Sequence, residues 1–134
     1  MTARKKKNQG MNWIAQATRL AIYLRDGFAC AYCGEGIETG NQLTLDHLKP
    51  YSKGGDNSPT NLVTCCHRCN SARGNRAVRT FCKAVASYIN HGATAQEIEN
   101  HIRATSKRSL KKCRIEAKEL IARRGTVARV LNHM

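Results

Sequence analysis

Residues 43–76 read LTLDHLKPYSKGGDNSPTNLVTCCHRCNSARGNR, and a short way ahead of them residues 30–34 read CAYCG. Gln42 to His47 alternates polar and apolar, with Leu43 and Leu45 on one side and Thr44 and Asp46 on the other. That period of two predicts a short strand. Lys49 to Thr60 is rich in Gly, Pro, Ser and Asn and reads as a loop. Leu62 and Val63 begin a second short strand. Cys30/Cys33 and Cys66/Cys69 are two C-x2-C knuckles, and a helix is expected from Asn70 onward.

Working outward, Asn12 is positioned to cap a helix from about Trp13 to Arg25, because Trp13, Ala17, Leu20, Ala21 and Leu24 recur at helical spacing. Asp26-Gly27 should end it, and Trp13 is read as a core anchor. Upstream, Arg4 to Lys7 form a like-charge run that reads as a disordered basic arm over 1–11. Downstream, Val78, Phe81, Cys82, Val85, Tyr88 and Ile89 form an apolar stripe that stops near His91-Gly92. Thr94-Ala-Gln-Glu97 is a capping-box signature, and a last helix is expected over roughly Ser109 to Arg124. The expected division is an arm over 1–11, a functional domain over 12–79 and a basic helical extension over 80–134.

The chain has 134 residues, a net charge of +14, 41% hydrophobic and only 5% aromatic residues. A core this lean needs a staple. Seven cysteines cannot all pair internally. No secretory signal is visible, and no stretch nears the ~20 apolar residues that span a bilayer. A reducing, cytoplasmic setting in a bacterial or phage-infected cell follows, where clustered cysteines point to metal rather than disulfides. The charge calls for a polyanionic partner, with nucleic acid favoured over a membrane surface. Arg103, Lys107, Arg108, Lys111, Lys112 and Arg114 would add backbone contacts.

Four thiolates from the two knuckles complete a tetrahedron around zinc and leave no open position, so that zinc would be structural. Cys65 adjoins Cys66, and a pairing through Cys65 stays open as a less regular alternative. Cys82 reads as a core residue, Cys113 as a bystander, and His67 as solvent-exposed or close to the metal without binding it. A clamp at the second knuckle would bring Asn70 near Asp46, pairing an amide oxygen with a carboxylate. Both are hard ligands suited to Mg²⁺ or Mn²⁺. His47 beside them has an unperturbed pKa near ~6.5, suited to a general base.

These residues in this order resemble the HNH endonuclease family. The resemblance covers about Arg19 to Arg76, including Arg25-Asp26-Gly27 and Cys-Asn-x-x-Arg-Gly. It implies an α+β fold, a small ββα-metal module (a β-hairpin plus a helix, stapled by zinc) with flanking α-helices. It further implies that His47 is the general base and that Asp46 and Asn70 hold a catalytic divalent ion. Asn61 would tie the loop to the strand and orient His47. Arg73, joined by Arg76, would contact a backbone phosphate. The implied activity is hydrolysis of DNA phosphodiesters, leaving a 5′-phosphate and a 3′-hydroxyl. RNA stands as an alternative substrate, since the scissile group is the same. A lone site cuts one strand per encounter, so double-strand cleavage would need a homodimer, a partner protein or two nicks.

The main rival is a non-catalytic zinc-knuckle DNA-binding protein, which has no use for Asp46, His47 and Asn70 together. A zinc deaminase needs an open zinc position and a nearby catalytic Glu, and the sequence provides neither.

Overall fold

The computed structural model describes residues 13–40, 42–89 and 92–134. The 1–11 arm and the Asn12 cap lie outside them. Six α-helices and one antiparallel hairpin make up the described residues: α1 (Gln16–Arg25), β1 (Leu43–His47), β2 (Leu62–Cys66), α2 (His67–Arg73), α3 (Val78–Ala86), α4 (Ala95–Ser106), α5 (Lys111–Arg124) and α6 (Val127–Asn132). The α+β class and the hairpin-plus-helix module are therefore as expected. No described helix is long and apolar enough to cross a membrane.

Leu43 pairs with Cys66 and His47 with Leu62, so the hairpin is in simple register. Two strands alone are marginal in water, and here both faces are covered. Leu43, Leu45 and Leu62 face Leu20 and Ile22 of α1, with Ala117, Val127 and Val130 behind them. Val63 and Cys65 face the opposite way, into a cluster with Tyr32, Phe81, Val85, Ile98 and Ile102. This is why every residue of β2 is buried, where a hairpin with one wet face would show alternation.

The outer edge of β2 is closed by polar contacts. Ala31 donates its N–H to the Thr64 carbonyl at 2.9 Å, and the Thr64 N–H donates to Asp26 Oδ2 at 2.7 Å. Asp26 in turn pairs with Arg25 at 2.7 Å. The Arg25 guanidinium also donates to the carbonyls of Pro59 at 3.1 Å, Leu62 at 2.7 Å and Ser106 at 3.2 Å. Arg25-Asp26 thus joins α1 to the strand and to the end of α4, and it helps to close the outer edge of β2.

Several boundaries differ from the sequence reading. Helix α1 begins at Gln16, three residues late, with Ala15 making no side-chain cap. Helix α2 begins at His67, inside the second knuckle, because Cys66 itself acts as N-cap and accepts from the Cys69 N–H at 3.4 Å. Tyr88, read as part of an apolar stripe, lies beyond the end of α3 and is 46% exposed. The Thr94–Glu97 capping box forms reciprocally, at 2.9 and 3.1 Å. Past Gly125, the extra helix α6 is capped by the Thr126 side chain.

Candidate active site and metal cluster

The first knuckle turns tightly after Tyr32. Gly34 has a positive φ of 83° and donates its N–H to the Cys30 carbonyl at 2.9 Å. The second knuckle is the first turn of α2. Together they bring the ligand atoms of Cys30, Cys33, Cys66 and Cys69 within 4.8 Å of one another, all four residues buried. Cys33 and Cys66 Sγ atoms are 3.8 Å apart, which matches the ~3.8 Å edge of a tetrahedron with bonds of about 2.3 Å. None of the four forms a disulfide. Hydrogen bonds from Cys30 and Cys69 pull the Cys33 thiol far below its ordinary range, while Cys30 is pushed up to about 12. So few negative charges are tolerated here by the protein alone, and a cation of tetrahedral preference is what the donor set fits. Cys65 is buried but stands outside the quartet, its thiol donating to the Cys66 carbonyl at 3.4 Å. Cys82 is a fully buried core residue and His67 is exposed.

Asp46 lies on the hairpin face turned towards α2. Its Oδ2 accepts from the Tyr32 hydroxyl at 2.7 Å and is in close contact with Arg73 Nη1, forming a buried ion pair. Burial pushes the Asp46 carboxyl up, and the Arg73 and Tyr32 contacts only partly offset this. Oδ1 makes no hydrogen bond to any described residue. Asn70 precedes Arg73 by three positions on α2, so the two share a helix face. A carboxylate oxygen and an amide oxygen on facing elements suit a hard divalent cation.

Arg73 differs from its expected role. It is 1% exposed, and its donors go to Asp46, to the carbonyls of His47 and Leu48, both at 2.7 Å, and to that of Arg76 at 2.8 Å. A guanidinium so enclosed holds the site together and presents nothing to a phosphate. Arg76, by contrast, is exposed, and its guanidinium lies 5.0 Å from the Phe81 ring centroid.

His47 ends β1 and is half-buried. Its Nε2 lies 2.8 Å from Asn57 Oδ1. The Asn57 amide has its Nδ2 turned towards the Trp13 carbonyl, at 3.5 Å, so its oxygen faces the ring. In the tautomer with its proton on Nε2, the ring donates to Asn57 and Nδ1 keeps a free lone pair. The rings of Trp13, at 4.9 Å, and Tyr51, at 5.7 Å, flank the imidazole.

Asn61 does not touch the imidazole. Its Oδ1 accepts from the Lys49 N–H at 2.8 Å, and its Nδ2 donates to the carbonyls of Asp56 at 2.8 Å and Lys49 at 3.2 Å. It ties the loop to the strand end, as expected, while Asn57 is the residue that contacts the ring. Gly55 lets this loop close, because a Cβ there would collide with the Lys49 carbonyl. Tyr32, Asn57 and the inward role of Arg73 were missed in the sequence. The signal available for Arg73 was that a buried carboxylate requires a buried cation.

Residues 30–86 match the model of the HNH endonuclease family. Over that stretch the chain is similar to HNH endonuclease domains. Over 76 residues, 56% of the chain, it is also 37% identical to the CRISPR-associated endonuclease Cas9 of Corynebacterium diphtheriae. That match spans only 7% of the relative's length. The HNH match takes in both knuckles, the hairpin, α2 and α3, and it leaves α1 and α4 to α6 outside.

Proposed function

We propose that the chain is a metal-dependent endonuclease that hydrolyses DNA phosphodiesters at His47. The observation that carries this reading is the 2.8 Å contact between His47 Nε2 and Asn57 Oδ1: the tautomer that donates there leaves Nδ1 to accept a proton. His47 Nδ1 takes a proton from water, and the resulting hydroxide attacks the scissile phosphorus. The bond to the 3′ oxygen breaks, and that oxygen takes a proton from solvent water, giving a 5′-phosphate and a 3′-hydroxyl. A divalent ion held by Asp46 and Asn70, Mg²⁺ or Mn²⁺ by the hardness of those oxygens, would stabilise charge on the phosphate and the leaving oxygen. Arg73 and Tyr32 favour the ionised form of Asp46 against its burial and keep the carboxylate aimed. Asn61 keeps the loop that carries Asn57 in place. Cys30, Cys33, Cys66 and Cys69 would hold a structural zinc that ties the first knuckle to the start of α2.

The family likeness implies a nucleic-acid substrate. Charge supports a backbone grip outside the catalytic residues. Lys49, Lys53, Arg103 and Lys107 line a cleft of about 460 Å³ beside the hairpin loop, where hairpin and α4 approach one another. Arg76 adds an exposed cation near the end of α2.

The test is incubation of supercoiled plasmid with the protein and Mg²⁺ or Mn²⁺, beside His47→Ala. The wild type should convert the plasmid to open-circular or linear form, and the variant, with its zinc cysteines intact, should bind DNA without cutting. The ratio of the two products reports nicking against double-strand cleavage. Binding without cleavage by both proteins would favour a non-catalytic zinc-knuckle module.

A further inference from the structure

Among the described residues, one buried cation lacks a counter-charge. Arg19, on α1, is 4% exposed. A guanidinium carries five N–H donors, yet among the described residues Arg19 makes one side-chain hydrogen bond, from Nη1 to the Tyr23 hydroxyl at 3.3 Å. Its Nε has no partner. The ring of Trp13, 5.5 Å away, offers partial compensation. The ion pairs of the described residues use Arg25, Arg73, Arg79 and Arg103, and none reaches Arg19. A buried charge without an opposite charge is costly.

Arg19 lines a cavity of about 650 Å³, within the ~300–1,000 Å³ typical of small-molecule sites. Ile37, Leu43, Val127 and Leu131 supply apolar wall, and Gln42 a polar margin. The far side is α6, docked by the Val127 N–H donating to Gln16 Oε1 at 3.1 Å. Burial raises the Tyr23 phenol above its ordinary range, so it stays neutral, and its proton is donated to the Leu43 carbonyl at 3.3 Å. Arg19 is thus the fixed positive charge of an otherwise neutral cavity. Both Arg19 and α6 lie outside the HNH match.

We propose that this cavity binds a small amphipathic anion, a carboxylate or phosphate monoester on an apolar body, with the acid at Arg19 and the body between Leu43 and Leu131. A nucleic-acid backbone is a poor occupant, because its phosphates are carried on a bulky, hydrated polymer and Arg19 is enclosed. The Arg4–Lys7 run has the wrong sign. The inference is independent of the nuclease reading.

Trp13 is the chain's single tryptophan, and its contact with Arg19 makes its fluorescence a reporter. The full-length protein would be titrated with phenyl phosphate, 4-phenylbutyrate and inorganic phosphate. A saturable change is expected for at least one amphipathic probe, with inorganic phosphate at least ~10-fold weaker. Which acid binds tighter identifies the source class. Arg19→Gln should weaken the tighter probe by about 10-fold or more. Ala128→Phe, at an exposed position on the cavity wall, should block the cavity while leaving Arg19 and Trp13 in place, so it decides the matter if Arg19→Gln does not fold. Circular dichroism establishes folding of each variant. No saturable response to any probe, equal affinity for inorganic phosphate, or unchanged affinity in folded Ala128→Phe would overturn the proposal.

Discussion

His47 receives its orientation from Asn57, on the far side of the loop, and not from the neighbouring strand residue. Asn57→Ala frees the ring to rotate and to exchange tautomers, while leaving every metal-ligand candidate in place. Plasmid cleavage should fall about 10- to 100-fold, with DNA affinity unchanged in a gel-shift titration. Arg73 makes a separate prediction. Its partner carboxylate is buried, so Arg73→Leu leaves Asp46 uncompensated and should cost about 3–5 kcal/mol in urea unfolding. A residue that served only to contact phosphate would leave the unfolding midpoint where it was and weaken DNA binding instead.

At the scale of elements, the two knuckles fix where β1 and α2 meet. With only 5% aromatic residues, packing alone gives the hairpin modest support. Stripping the metal with a strong chelator, or replacing Cys33 with Ser, should lower the melting temperature by about 10 °C or more in a calorimetric scan. Retention of the wild-type midpoint after complete metal loss would mean that the thiol cluster is a passive part of the core. Much of this architecture was legible beforehand because it is local. The cysteine spacing, the alternation around Leu45 and the Thr94–Glu97 box each act over a few residues. What escaped was non-local. Tyr32 meets Asp46 only once the first knuckle has folded back over the hairpin, and Asn57 meets His47 only after a loop closes. Neither pairing leaves a periodic trace in the chain. Arg73 was misread for the same reason: from sequence it is a cation near a helix end, and only the packing of α2 on β1 turns it inward.

Across the whole molecule, charge and core are arranged so that the hairpin is enclosed on both faces and its loop end is lined with cations. The cleft formed by Lys49, Lys53, Arg103 and Lys107 predicts a salt signature. Lys49→Gln and Lys107→Gln should each reduce the slope of log affinity against log salt by about 1, uniformly across DNA sequences. A change confined to one sequence would instead point to base reading. Lys107 follows directly on α4, so a grip on this cleft would draw on residues beyond the HNH match.

Arg25 gathers the carbonyls of Pro59, Leu62 and Ser106, and Arg108 returns a bond to the Arg25 carbonyl at 3.3 Å. The contacts of Arg25 with Ser106 and Arg108 join residues 81 and 83 positions apart. The order of events during synthesis follows from this. His47 and Asp46 leave the ribosome well before Ser106 does, yet the clasp over the second strand cannot close until the end of α4 arrives. A growing chain therefore passes through an interval in which His47 and Asp46 exist but their frame is unlocked. Their frame locks only once the chain has been made through Ser106.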